Sequence, residues 1–110
     1  VTNPTHFAVA LTYNPVSKGA PKVVAKGNDE VAAKIREVAN DAEVPIVESP
    51  ALARAIYYST KIGQEIPEGL FMAVAQVLAF VFQLREYQKG KGRKPKLATK
   101  LPIPDDLQHD

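Results

Sequence analysis

The sequence contains no cysteine, and it has only two histidines in 110 residues. Without cysteine the chain can form neither a disulfide framework nor a thiolate metal site. The two histidines, His6 and His109, are too far apart in the sequence to suggest a pair of metal ligands. We therefore expect neither a metal ion nor a cofactor.

Long apolar runs are missing as well. The most apolar stretch, residues 70–84, is 15 residues long and contains two glutamines. A membrane-spanning helix needs about 20 predominantly apolar residues, so this stretch predicts a buried core helix instead. No signal peptide is visible in the sequence.

The composition is that of one soluble globular domain. Apolar residues make up 45% of the chain and charged residues 24%, with a net charge of +2, which is ordinary for globular proteins. A chain of this length can bury a modest hydrophobic core. We find no internal repeat.

Strand signals alternate with helix signals along the chain. Strands are predicted at residues 7–13, 21–25 and 44–47, and residues 1–2 form the stub of another. Apolar stripes predict three helices, whose inward-facing residues are Val31, Ile35, Val38 and Ala42; Leu52, Ala55 and Ile56; and Leu70, Val74, Val77, Val81 and Leu84. This alternation predicts an α/β fold, with a small central sheet of about four strands flanked by about three to four helices.

The last part of the chain differs in character. Residues 85–100 carry seven Lys or Arg and one Glu, and glycines and prolines interrupt any helix there. We therefore divide the chain into a domain over residues 1–88 and a flexible basic, Pro-rich tail over residues 89–110. Acidic lipid headgroups, RNA or an acidic partner could bind this tail, but its composition favours a solvated linker.

The first turn, Asn3-Pro4-Thr5-His6, has an unusual chemical option. Pro4 lacks an N–H, so its nitrogen cannot attack the Asn3 side chain as a following residue normally does. The Asn3 side-chain nitrogen can instead attack its own carbonyl carbon, which forms a succinimide, expels Pro4 as an amine and breaks the chain. Because an amide is a weak nucleophile, the turn must supply the geometry, with help from Thr5 and His6. Alone, the tetrapeptide favours an ordinary turn, since short motifs recur by chance.

Further blocks follow this tetrapeptide in order. They are Ala8-Val9-Ala10-Leu11, Ala20-Pro21-Lys22-Val23-Val24-Ala25-Lys26-Gly27, Val44-Pro45, Pro50-Ala51-Leu52-Ala53-Arg54-Ala55-Ile56-Tyr57 and Ile62-Gly63-Gln64-Glu65-Ile66-Pro67. Together they resemble the cytoplasmic domain of the FlhB/YscU family, the autocleaving switch proteins of flagellar and injectisome type III export. The resemblance extends over about the first 85 residues. The block that runs from Ala20 to Gly27, together with the long tail, favours the flagellar branch.

The resemblance implies the site residues. It implies a catalytic turn made of Asn3, Pro4, Thr5 and His6, with Asn3 as the nucleophile and His6 as an accessory. It also implies that export substrates dock a short apolar signal beside the last helix. We expect the residues of that docking site to be Ala20, Pro21, Ala75 and Leu78.

The resemblance also implies a role and partners. It implies a non-enzymatic export-gate component that cleaves itself once and switches export from rod- and hook-type to filament-type substrates. The expected partners are other export-gate subunits, rod- and hook-type substrates and the hook-length control protein, with no nucleic acid. The domain would lie on the cytoplasmic face of the bacterial inner membrane, with the membrane portion before Val1. The alternatives are an injectisome counterpart, or a small α/β binding module that uses its basic tail on nucleic acid.

Overall fold

Three antiparallel strands near the start of the chain form the sheet. They are β1 (Thr2–Asn3), β2 (Phe7–Thr12) and β3 (Lys22–Asn28), in the spatial order β1-β2-β3. The register pairs Ala8 with both Thr2 and Gly27, and it shifts between Ala10 and Leu11. The structure is a computed structural model that describes residues 1–3, 6–14, 19–90, 92–97 and 101–108.

The predicted fourth strand over residues 44–47 is not confirmed. In the described part of the chain a single parallel bridge, between Thr2 and Glu48, lies just after this segment. The backbone N–H of Thr2 donates to the carbonyl of Val47 at 2.8 Å, and that of Ser49 donates to the carbonyl of Thr2 at 2.8 Å. Pro45 has no N–H to give to a ladder, so a longer strand cannot pair through this position.

The three predicted helices are present. α1 is Asp29–Asp41, α2 is Pro50–Ser59 and α3 is Phe71–Gln88. Proline occupies the first turn of α2 after Ser49, where its missing N–H costs nothing. A 3₁₀ turn at Glu68–Leu70 leads into α3, and a second lies at Asp105–Leu107.

The helices cover both faces of the sheet. Successive side chains of a strand point to opposite faces, and Ala8 and Gly27 share one face because they are paired. α1 packs on that face, against β2 and β3. Gly27 permits this close approach, because a Cβ there would overlap the side chain of Val31.

The predicted inner face of α1 is wrong. Val31 and Val38 are about half exposed, at 54% and 53%, whereas Ala32 is fully buried. Val31 lies against Gly27 at one side of the contact, so part of this side chain stays in solvent, and Ile35 is half-buried. The fully buried position of the helix is the neighbouring Ala32.

The main core lies on the other face of the sheet. It joins one residue of β2 and one of β3 to the inner faces of α2 and α3, and the inward-facing residues predicted for α2 are all buried. On α3 the predicted stripe is confirmed, with its first three members buried and its last two half-buried. The buried members of this cluster are Val9, Val23, Val47, Leu52, Ala55, Ile56, Ile66, Leu70, Ala73, Val74, Val77, Leu101 and Ile103.

The expectation of an unanchored tail is wrong for residues 101–108. Leu101 and Ile103 are buried in the main core. Leu107 lies beside Gly69, and the Gln108 side chain donates to the carbonyl of Ile103 at 2.8 Å. The reason is the alternation of Leu-Pro-Ile-Pro. Proline keeps the backbone extended, so that every second side chain faces the domain.

α3 is also the most apolar element of the chain. Together with its 3₁₀ turn it spans Glu68–Gln88, and by length and composition alone this segment could cross a membrane. One face of it belongs to the core, yet Met72 and Phe82 are 66% and 65% exposed. The helix therefore presents apolar side chains on more than its core face.

The packing of residues 101–108 predicts a clear effect of Ile103→Ala. We expect this substitution to lower the free energy of unfolding by about 2–3 kcal/mol, because it removes three buried carbons from the core. Lys96→Ala is the matched control, since Lys96 is exposed and its removal should change stability by less than about 0.5 kcal/mol. Urea denaturation measures both values. Equal stabilities for the two variants would show that the segment does not pack on the domain.

Candidate functional site

β1 lies between two backbone neighbours. On one side the N–H of Val9 donates to the carbonyl of Val1 at 2.9 Å, and Thr2 pairs with Ala8. On the other side both backbone polar groups of Thr2 bond to residues 47–49. The Thr2 side chain is only 4% exposed. The residues that precede the predicted scissile bond are therefore held inside the structure on two edges.

The predicted catalytic turn is described in part. The backbone of Asn3 ends β1 and pairs with Phe7, whereas Pro4 and Thr5 lie outside the described residues. His6 is present in the turn with an exposed side chain. The structure therefore defines the two ends of the turn.

Asp29 is the partner of His6. The backbone N–H of Asp29 donates to the carbonyl of His6 at 2.9 Å, and the His6 Nδ1 lies 3.7 Å from the Asp29 Oδ1. Both side chains are largely exposed, so the pair contributes little to stability. The contact places the Asp29 carboxylate beside the imidazole.

The chain reaches this contact through a left-handed residue. Asp29 has φ 46°, which an aspartate tolerates better than most non-glycine residues, and it joins the end of β3 to α1. Sequence reasoning missed the pairing because Asp29 and His6 are far apart in the chain.

An aromatic cluster fixes the downstream end of the turn. The Phe7 ring centroid lies 4.8 Å from that of Tyr57 and 5.8 Å from that of Tyr58, both on α2. Lys26 Nζ lies 5.0 Å from the Tyr57 ring centroid and donates to the carbonyls of Tyr57 at 2.7 Å and Thr60 at 2.8 Å. Lys26 thereby satisfies carbonyl groups at the C-terminal end of α2. The sequence offered no signal for this role.

The four predicted docking residues line one groove. Ala20 and Pro21 come from the segment before β3, and Ala75 and Leu78 come from α3. The groove has a volume of about 440 Å³, and it is also lined by Tyr13, Gly19, Glu65, Phe71 and Val74. The structure therefore brings together residues that are more than 50 positions apart in the sequence.

The wall of the groove is fixed by backbone hydrogen bonds. The N–H of Ile66 donates to the carbonyl of Pro21 at 2.9 Å, and the N–H of Ala20 donates to the Glu65 Oε2 at 2.9 Å. Lys22 and Glu65 also form an antiparallel bridge. Because Ala20 and Ala75 carry only methyl side chains, they leave space between this wall and α3. Such a groove suits an apolar side chain.

Metal ligands are not grouped in the described residues. No set of three or more His, Asp or Glu side chains there could hold a metal ion.

Known proteins are similar to this chain in sequence and in fold. The chain is 50% identical over 107 residues to the flagellar biosynthetic protein FlhB of Escherichia coli K12, which covers 97% of this chain and 28% of that relative. The crystal structure of the cytoplasmic domain of FlhB from Shewanella putrefaciens is 61% identical. It matches with a TM-score of 0.90, covering 94% of this chain and 81% of that one. The PscU C-terminal domain is 32% identical with a TM-score of 0.67, covering 71% and 99%.

The family model for FlhB, HrpN, YscU and SpaS matches residues 1–81. The chain spans about 28% of the length of the curated relatives it matches. The match confirms the resemblance that begins at the Asn3-Pro4-Thr5-His6 turn. This chain belongs to the FlhB HrpN YscU SpaS family.

Proposed function

We propose that this chain is the cytoplasmic domain of a flagellar type III export-gate component that cleaves itself once between Asn3 and Pro4. In this role it controls the switch from rod- and hook-type to filament-type export substrates. Its similarity to FlhB relatives and to a cytoplasmic domain of FlhB supports the flagellar assignment. The observation that carries the proposal is the convergence of Ala20, Pro21, Ala75 and Leu78 in one apolar groove.

The cleavage step breaks one peptide bond, the bond between Asn3 and Pro4. The Asn3 side-chain nitrogen bonds to the Asn3 carbonyl carbon, the bond from that carbon to the Pro4 nitrogen breaks, and the proton lost by the amide passes to the Pro4 nitrogen. The product is a succinimide at Asn3, which water then opens. In this step His6, with the Asp29 carboxylate beside it, would relay that proton. The domain turns over no external substrate, because the reaction uses its own chain once.

The pairing of β1 supports a switch in which both pieces stay together. Thr2 keeps its bonds to Val47 and Ser49 and its pairing to Ala8 after the Asn3–Pro4 bond is broken. Each such hydrogen bond contributes about 1 kcal/mol net, and burial of Thr2 adds to them. Cleavage then frees the turn without removing the strand.

The groove supports docking of export substrates. The partners of the domain would be rod- and hook-type substrates, other export-gate subunits and the hook-length control protein. The domain would work at the cytoplasmic face of the bacterial inner membrane, where the rest of the longer protein anchors it. A short apolar signal in the substrate would fill the space between Pro21 and Leu78.

Asn3→Ala should abolish cleavage of the full-length protein, because alanine has no side-chain nitrogen to attack the carbonyl. Asn14→Ala is the matched control, since Asn14 precedes the second Asn-Pro bond of this chain and should leave cleavage unchanged. Intact mass of the denatured protein reads both results. A cut Asn3→Ala protein would refute the mechanism, and cutting at Asn14 would show that the dipeptide alone is sufficient.

The cleaved full-length protein should elute as one species of native size and separate into two fragments in denaturant. The reason is that β1 is bonded on both edges and buried at Thr2. Size-exclusion chromatography with mass detection measures this, with the uncleaved Asn3→Ala protein as the reference. Dissociation under native conditions would make cleavage a release step and would overturn the switch proposed here.

Ala75→Glu should weaken binding of a hook-type substrate by about tenfold or more, because it places an unpaired carboxylate in the apolar groove. Ala79→Glu is the matched control, since Ala79 is exposed on the same helix and does not line the groove. Titration of each variant with the purified substrate gives the affinities. Equal affinities for the two variants would exclude the groove as the docking site.

A further inference from the structure

One apolar stripe of α3 continues beyond the groove. Phe71, Ala75, Leu78 and Phe82 follow one another at spacings of four, three and four residues, so they share one face of the helix. The first three line the groove. Phe82 does not, and it is 65% exposed. A ligand that leaves the groove along this face would therefore meet Phe82 next.

A second hollow begins at Phe82. It has a volume of about 380 Å³ and is lined by the end of α3 and the basic segment that follows, namely Phe82, Gln83, Glu86, Gly92, Arg93, Lys94 and Pro95. Two cations and one carboxylate give this hollow a net positive charge. Within the described residues neither Arg93 nor Lys94 forms a salt bridge.

We propose that the second hollow is an acidic-residue subsite of the same docking groove. Its occupant is an extended segment of an exported protein that places an apolar side chain in the groove and an Asp or Glu beside Arg93 and Lys94. Phe82, at the start of the second hollow, packs against the peptide there. This inference rests on the proposed function, because the apolar anchor is the export signal of the first groove.

The geometry sets the spacing of the two side chains. Ala75 and Phe82 are seven residues apart on α3, which is about 10 Å along a helix. An extended peptide advances about 3.3 Å per residue. The acidic residue therefore lies about three to four residues from the apolar anchor.

The charge pattern favours a peptide over an anionic bilayer. Glu86 stands in the second hollow and Glu65 in the first groove. A bilayer presents negative charge over its whole surface and would meet both carboxylates. A peptide carries its carboxylate at one position, and it can enter two concave sites that a flat surface cannot fill.

Synthetic peptides test the subsite on this chain. The probes are labelled Gly/Ser dodecapeptides, each with one Phe-Leu pair. Each peptide carries two Asp, two Ser or two Lys at the third and fourth positions from that pair. One set of peptides has these residues before the pair, and a second set has them after it. Fluorescence anisotropy gives the affinities. We expect the Asp peptide to bind about fivefold tighter than the Ser peptide for one of the two orientations, with the preference shrinking at high salt.

Two sets of variants separate this inference from the proposed function. The double variant Arg93→Glu and Lys94→Glu should abolish or reverse the preference for Asp, and Phe82→Ser should weaken all three peptides. Lys96→Glu is the matched control, because Lys96 is exposed in the same segment but does not line the hollow. It should keep the preference for Asp.

The outcomes are distinct. One outcome would overturn the subsite and leave the groove intact. In it, Ala75→Glu abolishes peptide binding, but charge reversal at Arg93 and Lys94 does not change the relative affinities of the three peptides. Peptide binding that survives Ala75→Glu would overturn the proposed function itself. A double variant that loses binding to phosphatidylserine vesicles, yet treats all peptides alike, would assign the basic hollow to lipid and overturn the subsite.

Discussion

The two-sided pairing of β1 is the constraint on which the candidate cleavage site depends. A two-residue strand at the edge of a sheet would be held by few bonds and would fray. Here β2 holds one edge and residues 47–49 hold the other, so Thr2 is buried and the backbone of Asn3 has a fixed entry into the turn. The parallel bridge at Glu48 is a single pairing, yet it covers the outer edge of β1 at Thr2.

β3 connects the two candidate sites. Just before it, Ala20 and Pro21 form the wall of the groove, and just after it the backbone N–H of Asp29 donates to the carbonyl of His6. The seven residues of β3 span about 23 Å. In the middle of this path Lys26 ties the strand to the end of α2. The turn and the groove therefore share one rigid element, although they lie at opposite ends of it.

The periodicity of apolar residues predicted the buried faces of two helices. The stripes of α2 and α3 are confirmed, because large apolar residues on a helix must face the core. The same reasoning failed for α1, where Val31 lies against Gly27 yet stays about half exposed, and the fully buried residue is the small Ala32. It failed again at Leu101 and Ile103, where two apolar residues between prolines looked too sparse to anchor a chain. The pairing of His6 with Asp29 could not be read at all, since it depends on how β3 meets α1.

The anchoring of residues 101–108 changes the meaning of the basic segment before them. Residues 92–97 lie between the end of α3 and the buried Leu101, so their charges are confined to one end of α3. Charges that are already confined lose less conformational freedom when a ligand binds than charges on a free tail do. Arg93 and Lys94 also stand beside Phe82, which supplies apolar contact at the same place. Composition alone assigns this segment to a solvated linker, whereas the structure places Arg93 and Lys94 beside α3, where the proposed subsite would need them.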